Sequence, residues 1–395
     1  MARSNLKSFA NPDVLKRIDT ANLVELFAPY QSYLEAKGFG FPPAPGGEPD
    51  YRRLAVILID SDEDTPAELI DALHIIGNVG VDERIDDLLQ IAFLSGVDTG
   101  DGGMTAADLA VRIWLKAPKA LEKLVRDELF EKKRKFEHFP ARETGPGISP
   151  EDLPQDLDAL EGSLDQWFVA KKRGAGCVID RAVAGSEARF LVAHGMPCKR
   201  ERNRKGRESS PLYFRPEKTD LVIYDAATNE LRAHAGTLGE LRLYVSTFGH
   251  HLFGDPEQFV YTAKYTLEPL KELGRDALRC RDIDGIESIR LREIRYLWPG
   301  AFEHVEIHRA FDLFLAFAMR GMAIHREPKI TQAVFEVKLQ GLEKPRKVSI
   351  CPPNVAEYGH GDEAALIEEW LRRRGFILVG AAAGDEQADA VLAGA

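Results

Sequence analysis

Lys199, Arg200, Arg202, Arg204, Lys205 and Arg207 crowd one short stretch, closely followed by Tyr213, Phe214 and Arg215. Cations at this density can neutralise phosphates, and the aromatic rings can stack on unpaired bases. Lys199, Arg200, Arg202, Arg204, Lys205, Arg207, Tyr213 and Arg215 are therefore the candidate nucleic-acid-binding residues, placed on an exposed loop. From Trp167 to Lys218 the chain holds 13 Lys/Arg against 5 Asp/Glu, a local +8. The whole chain carries −11, so the rest holds −19. That asymmetry points to one local anion-facing surface rather than general adhesion to nucleic acid.

A second set could hold a metal. Asp220 opens an apolar strand, and Glu336 and Lys338 stand two apart in Phe335-Glu336-Val337-Lys338-Leu339. On a strand they share a face. Two carboxylates with a lysine are what a Mg²⁺-dependent nuclease requires: the carboxylates hold the ion and the lysine steadies the attacking water or the developing charge. Positions 220 and 336 are 116 residues apart. The plainer reading makes Glu336 and Lys338 the solvent face of a hairpin opposite Lys347 and Ser349. In a third set, His304, Glu306 and His308 share one face on a strand, while on a helix His304 and His308 share one at i, i+4; either arrangement offers metal-ligating atoms.

Several familiar signals are absent: no G-x-x-x-x-G-K-[ST] loop, no G-x-G-x-x-G, no G-x-S-x-G and no H-E-x-x-H. Cys177, Cys198, Cys280 and Cys351 are scattered, with no C-x-x-C pair, which fits a reducing compartment and predicts a cytoplasmic protein. No apolar run approaches the roughly 18 residues of a membrane span, and Met1–Lys7 lacks the apolar stretch of a secretion signal.

The elements that must position these residues follow from periodicity. Leu23, Leu26, Phe27, Tyr30 and Leu34 lie on one helix face, with Pro29 predicted to kink it. Thr65-Pro66-Ala67-Glu68 reads as a capping box opening a helix that stops near Gly77. The next helix places Ile85, Leu88, Leu89, Ala92 and Phe93 on one face. A longer one starts near Asp108 and ends in Lys132–Lys135, cations suited to a helix C-terminus. Short strands are predicted at 177–179, 189–192, 220–224 and 230–234, with Asp225–Asn229 as a hairpin connection. Helices follow at 239–248 and 256–273, then a strand at 289–296. The last third reads as an apolar helix at 311–319, strands at 331–340 and 346–351, a helix at 362–374 and a short strand at 376–379.

The expected fold is α+β: an all-helical N-terminal domain followed by mixed α/β units with short antiparallel or mixed sheets. The expected domains are 1–140, helical; 141–165, an acidic Pro/Gly-containing linker; 166–300, mixed with the basic loop; 301–380, a ββαβ-type unit; and 381–395, a disordered tail. The leading functional expectation is a non-enzymatic binding protein. Its helical domain meets a protein partner and its basic stretch meets nucleic acid or another polyanion. The alternatives are the nuclease and an adaptor without nucleic acid. No cofactor is expected, Mg²⁺ entering only with the nuclease, and no membrane partner.

Overall fold

The computed structural model describes residues 6–42, 47–60, 62, 64–99, 103–143 and 145–378, without the side chains of Glu131, Lys132 and Lys205. The expected tail at 381–395 lies outside them. The chain is α+β and divides into two compact units, one of Met1–Leu129 with Arg204–Ser209, the other of Phe130–Asn203 and Ser210–Ala395. No helix among the described residues is long and apolar enough to cross a membrane.

The first unit holds α1 (Pro12–Leu15), α2 (Thr20–Phe27), α3 (Gln31–Ala36), α4 (Tyr51–Ile59), α5 (Ala67–Val79), α6 (Ile85–Leu94) and α7 (Ala106–Lys116), and α8 (Pro118–Lys132) leads out of it. Pro29 interrupts the expected long helix, turning Ala28–Tyr30 into a 3₁₀ segment between α2 and α3. At α5 the capping box does not form. Pro66 takes the N-cap position, and the Thr65 hydroxyl accepts instead from the Asp62 amide at 2.9 Å. On α6 only Leu88 and Ala92 are buried, while Leu89 and Phe93 stand exposed.

The second unit is built on one antiparallel sheet. Its strands are β1 (Lys135–Pro140), β2 (Val178–Ala184), β3 (Glu187–Gly195), β6 (Glu217–Asp225), β7 (Glu230–His234), β8 (Ile286–Leu297), β9 (Val305–Arg309), β10 (Lys329–Leu339), β11 (Arg346–Cys351) and β12 (Val355–Glu357), in the order β2-β3-β6-β7-β1-β12-β11-β10-β8-β9. Strands β4 (Lys199–Lys205) and β5 (Glu208–Phe214) form a separate two-stranded sheet, whose tip Arg204–Ser209 groups with the first unit. The helices are α9 (Asp158–Ala170), α10 (Leu238–Phe253), α11 (Glu268–Glu272), α12 (Leu313–Met319) and α13 (Asp362–Arg373).

Three expectations change. The sheet runs through the stretches read as separate units at 166–300 and 301–380, because β1 and β12 pair at its centre. The stretch read as a linker at 141–165 contains the start of α9, whose Leu160 and Leu164 are buried. Most of the expected helix at 256–273 is irregular; Pro269, which would break the interior of so long a helix, instead sits in the first turn of α11.

Each half of the sheet buries a different face. Phe139 and Leu231 are partners, and both pack with Leu164, Phe168, Tyr244 and Phe248 of α9 and α10. Phe136 is three positions away and so on the other face, and it pairs with Ala356, which packs with Ile367, Trp370 and Leu371 of α13. One face of the first half is thus covered by α9 and α10, and the opposite face of the second half by α13.

Candidate nucleic-acid interface

The basic stretch is a hairpin, not a loop. Arg200, Arg202 and Arg204 alternate along β4 and so share one face of the ribbon. The turn is tight, and Gly206 sits in it at φ +57°, a left-handed conformation that suits glycine. The arginines of β4 and Arg207 are exposed. Arg200 Nε donates to the Tyr213 hydroxyl at 3.2 Å, and Arg204 Nε donates to the Gly206 carbonyl at 3.1 Å. Both acceptors are neutral, so neither bond cancels the guanidinium charge. Lys199 is exposed, and the side chain of Lys205 lies outside the described atoms.

Arg215 has a different role. Its Nη1 donates to the carbonyls of Lys172 at 2.8 Å and Met196 at 2.9 Å, tying α9's exit to the foot of the hairpin. A Cβ on Gly195 would stand 2.3 Å from the Arg173 carbonyl and 2.6 Å from Arg215 Cδ, so glycine is required there.

Beneath the hairpin lies a buried ion cluster that sequence reasoning only touched, through Asp220. His194, next to last on β3, pairs with Lys218, the second residue of β6, and with Asp220 they face α10. Asp220 Oδ2 receives Tyr244 Oη at 2.8 Å and lies 3.1 Å from both His194 Nε2 and Lys218 Nζ. Burial would raise the Asp220 pKa, but the His194 bond and the Lys218 charge outweigh it and hold the carboxyl below its ordinary value. Glu240 is fully buried. Its Oε1 takes Lys218 Nζ at 2.8 Å and an Arg173 nitrogen, and its Oε2 takes the Gly236 amide at 3.0 Å and the Thr237 hydroxyl at 2.9 Å. Burial pushes the Glu240 pKa up, and Lys218 and Arg173 bring it below the ordinary value. Phe168 stacks on the His194 ring at 4.1 Å and 10°. Two local signals pointed here: Lys218-x-Asp220 at strand spacing, and Thr237-x-x-Glu240, a capping box opening α10.

Asp220, Glu336 and Lys338 are not one site. Asp220 lies on β6 and Glu336 on β10, five strands apart; at ~4.8 Å per strand that is roughly 24 Å, and an ion needs its carboxylates within about 6 Å of each other. Glu336 pairs with Arg290 at 3.2 Å and Arg292 at 3.6 Å, and stands opposite Lys347. Lys338 Nζ donates to the Leu342 and Glu343 carbonyls. His194, Asp220 and Glu240 do converge, but Lys218 and Arg173 already supply the positive charge a metal would bring.

A second buried network crosses the sheet centre. Lys264 Nζ lies 2.8 Å from Glu230, whose carboxylate also meets His138 Nδ1 at 2.9 Å and Arg232 Nε at 3.1 Å. Glu368 joins through Lys264 at 3.3 Å and accepts from the Tyr358 hydroxyl at 2.5 Å. Burial, then the Lys264 charge, lowers the His138 pKa to about 4.

Of the histidine set, Glu306 and His308 stay together on β9. His304 precedes the strand and lies parallel to Trp298, and His325, after α12, takes its place beside the pair. No periodicity links position 325 to β9, so only the chain's return could reveal it. No family model matches the sequence, and no curated protein matches it.

Proposed function

We propose that this chain is a non-enzymatic nucleic-acid-binding protein whose β4–β5 hairpin is the binding element. The observation that carries the reading is the Arg-x-Arg-x-Arg alternation on β4, with exposed guanidiniums whose bonds at Arg200 and Arg204 go to neutral acceptors. Two residues of strand advance ~6.8 Å, close to the rise of two base pairs, so successive arginines can follow every second phosphate of one strand. A two-stranded ribbon fits the major groove of B-form DNA, whereas the deep, narrow groove of duplex RNA excludes it. Tyr213, 68% exposed, offers a ring for stacking on an unpaired base.

The buried cluster at the hairpin's foot supports the same reading. It fixes the ends of β3 and β6 and so limits the freedom a ribbon would lose on binding. The helical unit is the candidate for a protein partner. Leu89 and Phe93, one turn apart on α6, are 40% and 83% exposed, the kind of apolar surface that partners cover.

The test is fluorescence anisotropy at low salt with labelled duplex DNA, single-stranded DNA and duplex RNA. Duplex DNA is expected to bind more tightly than duplex RNA. The combined variant Arg200→Ala, Arg202→Ala, Arg204→Ala and Arg207→Ala is expected to lose most of that affinity. No binding by the parent, or equal binding by the variant, would overturn the reading and leave a protein–protein adaptor in its place.

A further inference from the structure

Three histidine–carboxylate groups among the described residues bring their ligand atoms within 4.8 Å of one another: His194 with Asp220 and Glu240, His138 with Glu230 and Glu368, and Glu306 with His308 and His325. The first two are buried and already neutralised, by Lys218 and Arg173 in one and by Lys264 and Arg232 in the other. An ion entering either would meet resident cations in a low-dielectric interior.

The third group differs in each respect. Glu306 and His308 stand two apart on β9, the edge strand, with side chains 31% and 21% exposed. His308 Nε2 is 2.6 Å from Glu306 Oε1. Trp298 Nε1 donates to the other oxygen, Oε2, at 2.8 Å. His325 is brought in by its own amide, which donates to Tyr296 Oη at 3.3 Å, and its ring lies 5.2 Å from that of Tyr296. The Trp298 bond leads in lowering the Glu306 pKa, followed by the His308 bond.

We propose that Glu306, His308 and His325 form a binding site for a divalent transition-metal ion, with Zn²⁺ the best-suited occupant. Two imidazoles and one carboxylate suit Zn²⁺ and leave a fourth position open to water. Imidazole donors disfavour Mg²⁺ and Ca²⁺. The geometry also supplies the outer support such sites use: Trp298 holds the carboxylate oxygen that does not face the histidine. Ligand atoms about 2.0–2.2 Å from a tetrahedral ion stand roughly 3.4 Å apart, so His308 and Glu306 need only open their present hydrogen bond. This site is independent of the hairpin.

The experiment uses the full chain with Cys198→Ser, because Cys198 is an exposed thiol that could itself hold Zn²⁺. Isothermal titration calorimetry with Zn²⁺ is expected to give one ion per chain. His308→Ala and His325→Ala should each weaken binding by about 100-fold or more, and Trp298→Phe by about 10- to 100-fold. Glu306→Gln keeps the side chain's volume and tests the carboxylate if a histidine variant misfolds. His304→Ala should leave binding unchanged. Co²⁺ should show the visible bands of a four-coordinate ion in the parent and lose them in the double histidine variant. Absence of stoichiometric binding at micromolar free Zn²⁺, or undiminished binding by the double histidine variant, would overturn the site.

Discussion

The hairpin and the ground beneath it use the same residue types to opposite ends. At the foot, Lys218 and Arg173 are spent on Asp220 and Glu240, and every one of those contacts is within hydrogen-bond or ion-pair distance. At the sheet centre Arg232 touches Glu187, Asp225 and Glu230. On β4, Arg200 and Arg204 bond a phenol and a carbonyl, acceptors that leave their charge uncancelled. Cations surrounded by carboxylates hold a fold together; cations displayed against neutral acceptors are available to an outside anion. A count of Lys and Arg along the sequence cannot separate the two, and only the partners can.

The largest effect is expected at the sheet centre. Glu230→Gln leaves Lys264 and Arg232 buried without their main counter-charge. Chemical denaturation should show a loss of about 3–5 kcal/mol, with nucleic-acid affinity of the folded protein unchanged. Acid should act on the same network. His138 is neutral in the folded protein, with its pKa lowered to about 4 by burial and Lys264. In the unfolded chain it protonates near its ordinary value of about 6.5. The unfolded state therefore binds more protons between those limits, and stability is full above about 6.5 and falls toward pH 4, by on the order of 3 kcal/mol. Denaturation midpoints measured from pH 7.5 to 4.5 check this. His138→Gln should flatten the profile.

A smaller effect is expected at the hairpin's foot. Gly195→Ala forces a methyl group against the Arg173 carbonyl, and a cost of about 1–3 kcal/mol should follow. If stability were unchanged, the foot would not be the tight anchor described. The smallest effect on stability is expected on the ribbon itself. Replacing Arg200, Arg202, Arg204 and Arg207 by alanine should leave the melting temperature where it was, since these side chains are exposed. A clear drop would place them among the fold-supporting cations.

Local signals carried much of the fold. Strand β11 was expected at 346–351 and spans Arg346–Cys351; α13 was expected at 362–374 and spans Asp362–Arg373. What sequence could not supply was pairing. The four cations at 132–135 read as a basic helix end, yet β1 starts at Lys135 and occupies the sheet centre between β7 and β12. Its partners are roughly a hundred and two hundred residues away, at 230–233 and 355–357, beyond any periodic pattern. The same limit hid the clusters. The local cues at Asp220 and Glu240 were present, but their meeting with His194 depends on α10 folding back over β3 and β6. Alternation along 199–205 was available in the sequence. It was obscured because charged strands lack the apolar alternation by which strands are recognised.

Salt dependence separates displayed charge from spent charge most directly. With five or six phosphates engaged, a log–log plot of duplex-DNA affinity against salt should have a slope of about −4.5 to −5.4. The four-arginine variant should bring it to about −1 to −2. An unchanged slope in that variant, or a parent slope near zero, would contradict the assignment of the hairpin as the nucleic-acid-binding element.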